Sequence, residues 1–350
     1  MKPRRLQKLK TTARWVRAGV RRRALILLYH RVALLDSDIH KLSVTPAHFA
    51  EQLEVLRKYT RPIGLRQLAQ AVRESRVPRR AVIITFDDGY ADNLYNAKPL
   101  LERFDIPATV FVTSGYLGQQ REFWWDELER VLLQSGTLPE ALRLNVNGDV
   151  HEWSLNGAAH ASEESDAERH LGQEVKEKSN LNQRLFLYRS VHQLLRPMPD
   201  EMRRWLLDEL VTWAGGGLAA VDPEHLPMSP AEVIRLADGN MIEVGAHTVT
   251  HPVLSKIPVD VQQSEITKGK IHLEDILGRS VVSFAYPFGT RSDYTEQTTA
   301  IVRQAGFTSA CSVFPGQVSK ANSLFELPRF AVRDWDGATF ERHLNWWFTD

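Results

Sequence analysis

Apolar and polar positions along the chain switch between two rhythms. Continuous apolar runs at residues 24–29, 81–85 and 108–112 have strand length and no polar alternation, as expected of strands buried on both faces. Residues 241–244, 281–285, 307–311 and 327–332 read as further strands. Between them, apolar residues recur at helical spacing over 45–59, 93–104, 259–277, 295–305 and 338–347. Strands alternating with helices predict an α/β layout built on parallel strands.

Residues 121–239 break that rhythm. The stretch is rich in Glu, Arg, Leu and Gln, with helical patterns at 125–133, 181–195 and 201–213. Asn147-Gly148 suits the two-residue turn of a small hairpin over 145–155, and the charged run 162–178 reads as exposed. The expected organisation is a basic arm (1–23), a barrel made from 24–120 and 240–350, and a mainly helical insertion (121–239).

The composition, 43% hydrophobic and 25% charged over 350 residues, is that of a globular protein. A single cysteine, Cys311, excludes an intrachain disulfide and a four-cysteine zinc site. The net charge of +1 hides an asymmetry: Met1 to Arg23 holds ten Lys/Arg and no acid, while the remainder holds 34 basic and 43 acidic residues, a net of −9. Such an arm is either a solvated tail or a helix lying on an anionic membrane with Trp15 and Val16 inserted. Nucleic acid is disfavoured as a partner, because the acidic body repels a polyanion. The arm lacks the apolar centre of a secretory signal, which points to a cytoplasmic protein, peripheral at the inner membrane face.

Two motifs carry chemistry. Thr85-Phe86-Asp87-Asp88-Gly89-Tyr90 ends a buried strand, where barrel side chains point into the mouth. By itself it could also be an Asx-Gly turn with solvated acids. His247-Thr248-Val249-Thr250-His251 follows another strand, and two histidines four apart can converge on one metal. Together the strand ends offer an Asp/His/His set with a coordination position left open. A glycosidase reading fails because adjacent aspartates do not suit the separation that two-carboxylate hydrolysis needs.

In these motifs the sequence resembles the polysaccharide deacetylases of the NodB-homology type, carbohydrate esterase family 4, over roughly 24–120 and 240–335. The resemblance implies a deformed (β/α) barrel of fewer than eight strands and metal-dependent removal of N-acetyl groups from an amino-sugar glycan or lipid-linked precursor. It implies Asp88, His247 and His251 as ligands of one divalent metal, zinc, with cobalt or nickel as alternatives. It implies Asp87 as general base. Deformylation of a lipid-linked amino sugar and a non-catalytic carbohydrate-binding role are the alternative functions.

The family's Arg-x-Pro-(Tyr/Phe)-Gly motif reads Ala285-Tyr286-Pro287-Phe288-Gly289 here, so the arginine that would tether Asp87 is missing. The Phe288 backbone NH keeps the oxyanion role, and Arg329 is the candidate replacement for the arginine. Leu28-Tyr29-His30-Arg31-Val32 resembles the start of the poly-N-acetylglucosamine deacetylase subgroup, in which the acid histidine sits on the first strand. His30 is therefore the expected general acid, with His343 as the alternative. Trp124 and Trp125, whose faces suit stacking on sugar rings, Tyr286, and Trp335, which in Asp334-Trp335 resembles the family's groove motif, are the expected substrate-binding residues.

Overall fold

The computed structural model describes residues 22–133, 136–155, 180–216, 221 and 223–349. Except for Arg22 and Arg23, the basic arm lies outside them, as does the charged run 162–178. Contacts divide the chain into two compact units, residues 1–118 with 227–350 and residues 119–226.

The first unit opens with β1 (Ala24–Tyr29), β2 (Arg31–Val32), β3 (Ser43–Val44), α1 (Pro46–Tyr59), β4 (Arg61–Pro62) and α2 (Leu65–Arg73). It continues with β5 (Ala81–Phe86), a short π-helix at Asn93–Ala97 running into α3 (Lys98–Phe104), and β6 (Ala108–Val112). The second unit holds α4 (Trp124–Leu133), the hairpin β7 (Ala141–Val146) and β8 (Asp149–Ser154), α5 (Asn180–Leu195) and α6 (Asp200–Trp213). The chain then returns to the first unit. It adds α7 (Pro230–Leu236), β9 (Ile242–Ala246), α8 (Val259–Leu277), β10 (Ser283–Ala285), α9 (Glu296–Gln304), β11 (Ser309–Cys311), β12 (Phe330–Ala331) and α10 (Gly337–Thr349).

The main sheet is parallel, in the order β11-β10-β9-β6-β5-β1-β12, with β4 also pairing with β5. Leu327, just before β12, bridges Cys311 of β11 in parallel, which draws the two edges of the sheet together. This is the expected deformed barrel with fewer than eight strands on its main path. No helix among the described residues is long and apolar enough to cross a membrane.

Both faces of the strands are buried, which explains the unbroken apolar runs. On β1, Leu25, Leu27 and Tyr29 join the larger core under the helices, while Ala24 and Ile26 join the smaller core inside the sheet. On β5, Val82, Ile84 and Phe86 face the helices, and Ala81 and Ile83 face inward. Because side chains alternate along a strand, residues 28 and 30 continue the inward row of β1, and 85 and 87 that of β5. Leu327 puts Arg329 in the same position on the segment entering β12.

Candidate metal centre and active site

Asp88, His247 and His251 converge: one ligand atom from each lies within 4.8 Å of the others, and all three residues are buried. His247 Nε2 and His251 Nε2 stand 3.6 and 3.5 Å from Asp88 Oδ1. Ligand atoms about 2.1 Å from a shared tetrahedral metal are roughly 3.4 Å apart, so the donor set fits a small divalent cation. His247 Nδ1 lies 2.8 Å from the carbonyl oxygen of Ala285. That contact places a proton on Nδ1 and leaves the Nε2 lone pair for a metal. Burial lowers the pKa of His247, Asp87 and the Ala285 carbonyl oppose the shift and Arg329 adds to it, so the imidazole is neutral as a ligand must be.

The ligand-bearing segments are unusual in backbone as well as side chain. Asp88, Thr248, His251 and Phe288 have φ of 74°, 66°, 55° and 59°, the left-handed region that L-residues seldom occupy. Conformations of this kind cost roughly 1–3 kcal/mol each and persist only where surrounding contacts over-determine them.

Asp87 is placed beside the triad, with Oδ2 3.9 Å from His247 Nε2. Arg329 grips it bidentately, Nη1 to Oδ1 and Nη2 to Oδ2, both at 2.7 Å. The guanidinium is fully buried and is itself fixed by Nε donating to the Ser312 carbonyl at 2.8 Å. Burial pushes the Asp87 carboxyl up, but the Arg329 charge, His247 and the Arg329 hydrogen bonds outweigh it and hold the group below its ordinary value. Asp87 is therefore ionised at neutral pH. Arg329 comes from a different strand than the family motif's arginine position, which Ala285 occupies, yet it reaches the same carboxylate.

His30 is partly buried. Burial is the main reason its pKa is lowered to about 4; Asp87 opposes the shift, while Arg329, His247 and Arg333 add to it. That coupling puts its imidazole within electrostatic range of the Asp87–His247 cluster. Sequence reasoning missed the groups that support it. Asn93 Nδ2 donates to the His30 carbonyl at 2.9 Å, and buried Asp92 accepts from Arg31 Nε at 2.8 Å and Val32 N at 3.0 Å. The only signal available was their position just after the Asp-Asp-Gly turn.

His343 does not join this cluster: its ring stacks on Trp335 at 4.0 Å, and its pKa is lowered first by burial and then by neighbouring Arg342. Phe288 does, with its ring 4.7 Å from that of His251.

Three of the four expected aromatic residues are buried. Trp124 and Trp125 are both buried. Trp125 stacks on Phe123 at 4.9 Å, while Trp124 packs against His192 at 4.8 Å, with the Arg203 guanidinium 5.4 Å from its ring. These contacts occupy the faces a sugar would need. Tyr286 is also buried: its ring stacks on Tyr294 at 4.0 Å, and its hydroxyl donates to the Phe325 carbonyl at 2.9 Å. Trp335 packs on the larger core, with one ring face on His343. Trp124, Trp125 and Tyr286 are thus taken up in packing, while Trp335 stays partly exposed.

The family model for polysaccharide deacetylases matches residues 74–185 and 213–310. A poly-beta-1,6-N-acetyl-D-glucosamine N-deacetylase of Staphylococcus aureus (strain MSSA476) is 29% identical over 110 residues, 28% of this chain. The match spans only 38% of that enzyme's length. Among solved structures, IcaB from Ammonifex degensii is similar with a TM-score of 0.57 and 16% identity, covering 94% of this chain and 97% of its own. The Streptococcus pyogenes deacetylase PplD is similar with a TM-score of 0.56 and 17% identity, covering 92% and 98%. At such identities the structural likenesses concern the fold.

Proposed function

The chain belongs to the polysaccharide deacetylase family, and on that premise we propose that it removes N-acetyl groups hydrolytically from a glycan of N-acetylated amino sugars. The observation that carries the reading is the Asp88/His247/His251 cluster standing beside an ionised Asp87 that Arg329 locks in place. The matched S. aureus relative acts on poly-β-1,6-N-acetylglucosamine, so a glucosamine polymer is the proposed substrate class.

Asp88, His247 and His251 would hold the metal, for which zinc suits two imidazoles and a carboxylate. When bound, it supplies a Lewis acid that polarises the amide carbonyl and acidifies a water. Asp87 takes the proton of the attacking water, and Arg329 fixes the direction of its lone pairs. The Phe288 backbone NH donates to the oxyanion as the carbonyl becomes tetrahedral. His30 is neutral in the resting site, so it does not carry the acid proton beforehand. The negative charge that builds up raises its proton affinity, and it passes the proton taken by Asp87 to the leaving nitrogen. One water O–H bond and the C–N bond break, a C–O and an N–H bond form, and the products are acetic acid, which ionises to acetate in water, and a free amine.

The test is acetate release from β-1,6-linked N-acetylglucosamine oligomers by the zinc-loaded chain, with a parallel formate assay on N-formylated oligomers. Acetate appearing one-to-one with new amines, and lost in Asp87→Asn, is the expected result. Formate release without acetate would favour deformylation; neither product would favour a carbohydrate-binding role.

We also propose that the arm 1–23 attaches the chain to the anionic inner membrane face, each engaged charge contributing about 1 kcal/mol near the surface. Co-sedimentation with phosphatidylglycerol vesicles at low salt, lost on deleting residues 1–21, is expected. Binding that survives the deletion counts against it.

A further inference from the structure

The His247–His251 segment is a strained turn, closed from within by His251 N donating to Thr248 Oγ1 at 3.1 Å and held from outside as well. Glu265, on α8, binds the turn through both carboxylate oxygens. Oε2 accepts from the backbone N–H of Val249 and of Thr250, each at 2.9 Å, and Oε1 accepts from Thr250 Oγ1 at 2.9 Å. One turn further along the same helix face, Gly269 lets the helix backbone approach. A Cβ there would stand 3.0 Å from both the carbonyl carbon and oxygen of Thr248.

The opposite side of the turn is held by the segment after β6. Ser114 N donates to the Thr248 carbonyl at 3.1 Å and Gly115 N to that of Val249 at 2.8 Å. The preceding amide, Thr113 N, donates to the Asp88 carbonyl at 3.0 Å. Three consecutive amides thus tie the aspartate loop to the histidine turn, and Glu265 presses the turn onto them. Left-handed Thr248 lies within this bracket, and left-handed His251 is tied to it through Thr248 Oγ1.

We propose that Glu265 is a positioning residue for the metal centre: it fixes the turn so that His247 and His251 present their Nε2 atoms to the point that Asp88 faces. The inference rests on the metal assignment made above. Glu265 touches neither ligand imidazole in any hydrogen bond described; it acts through the backbone between them. Its effect is therefore on affinity and coordination geometry. Outer groups that orient metal ligands typically change affinity by about 10–100-fold when removed.

The test measures zinc affinity by competition with a chromophoric chelator, and the visible absorption of the cobalt-substituted protein, on full-length chain. Glu265→Ala is expected to weaken zinc binding by about 10–100-fold and to alter the cobalt spectrum. Glu265→Gln keeps one oxygen for the two amides and an amide donor for Thr250 Oγ1, so it is expected to restore both readouts. Gly269→Ala improves helix propensity yet pushes on Thr248, so it is expected to weaken zinc binding without lowering thermal stability of the metal-free protein. Thr250→Val serves if Glu265→Ala does not fold, with a smaller loss expected. Unchanged zinc affinity and cobalt spectrum in all three variants, Glu265→Ala, Gly269→Ala and Thr250→Val, would overturn the proposal. Wild-type protein that binds zinc but releases no acetate would sink the deacetylase reading alone; wild-type protein that binds no zinc would sink both.

Discussion

Two regions of this molecule use the same ingredients for opposite ends. The barrel mouth and the unit of residues 119–226 each set arginine against a buried carboxylate and each group histidine with aromatic rings. In the second unit, Arg121 pairs with Glu127 and Arg130 with Glu122, both at 2.6 Å, and Trp124 is packed by His192 and Arg203. Those contacts complete one another as scaffold. At the mouth, Arg329 satisfies Asp87, but the remaining donors, Asp88 Oδ1 and the two imidazole Nε2 atoms, face one shared point. Residue type did not separate the two regions. What separates them is whether the side chains aim at each other or at a common centre, and whether the backbone is strained to hold that aim.

Breaking the centre tests the contrast most strongly. His247→Ala is expected to abolish zinc stoichiometry and lower kcat/KM by at least about 10³-fold, since a Lewis acid supplies several kcal/mol of transition-state stabilisation. Retention of bound zinc, measured by atomic emission, would remove His247 from the ligand set. Asp87→Asn is expected to keep full zinc content while lowering kcat by about 10²–10⁴-fold, the range for a lost general base.

The buried pair provides the next test. Arg329→Met leaves the buried Asp87 carboxyl without its partner, and is expected to destabilise the barrel by about 3–5 kcal/mol in urea unfolding. Adding Asp87→Asn to it is expected to recover much of that stability but no activity. An Arg329→Met protein as stable as wild type would mean that the pair is not as dry as its burial indicates.

In the other unit, Trp124→Ala is expected to cost about 3–5 kcal/mol of stability, as for large aromatic deletions in cores, with the KM for oligomers unchanged. A raised KM at unchanged stability would return Trp124 to the role of sugar platform.

The smallest expected effect is on pH dependence. In metal-free protein, His30 has its pKa lowered to about 4, against roughly 6.5 unfolded. Between these values the unfolded chain binds more protons. His30 therefore contributes fully above about pH 6.5, and that contribution is lost as pH falls towards 4. Urea midpoints of EDTA-treated protein are expected to fall over this window, and His30→Gln is expected to flatten part of the slope. An unchanged slope would place His30 in water rather than beside Asp87.

The strand rhythm was legible because parallel strands covered on both faces need apolar residues at every position. The observed β1 and β6 coincide with the apolar runs at 24–29 and 108–112. The two-residue β2, β3 and β4 were not legible, since segments that short carry too few positions for a period, whereas α2 carries Leu65, Leu68, Ala69 and Val72 at helical spacing and was legible but missed. Helix α7 belongs to the compact unit with the barrel, although composition grouped it with the insertion. Its capping box at Ser229 and Glu232 marks where a helix starts but not which core it joins.

Within the site, the sequence determined more than identity. Alternation along β1, β5 and the segment entering β12 sets His30, Asp87 and Arg329 on the inward face at the strand ends, because side-chain direction has a period of two. It could not determine the direction in which Asp88 and His251 point. By alternation Asp88 points to the outer side, and only a left-handed φ at 88 and 251 accompanies their approach to His247. Such backbone is held by hydrogen bonds from residues far away in the chain, Thr113 to Asp88 and Glu265 to the histidine turn. The surroundings of the aromatic residues were not legible for a related reason. A tryptophan gives up apolar area equally well to a sugar or to a core, and only the packed neighbours of Trp124, Trp125 and Tyr286 decide which. Periodicity is local and can be read along the chain; strain and face occupancy are set by contacts between distant segments, which exist only once the chain has folded.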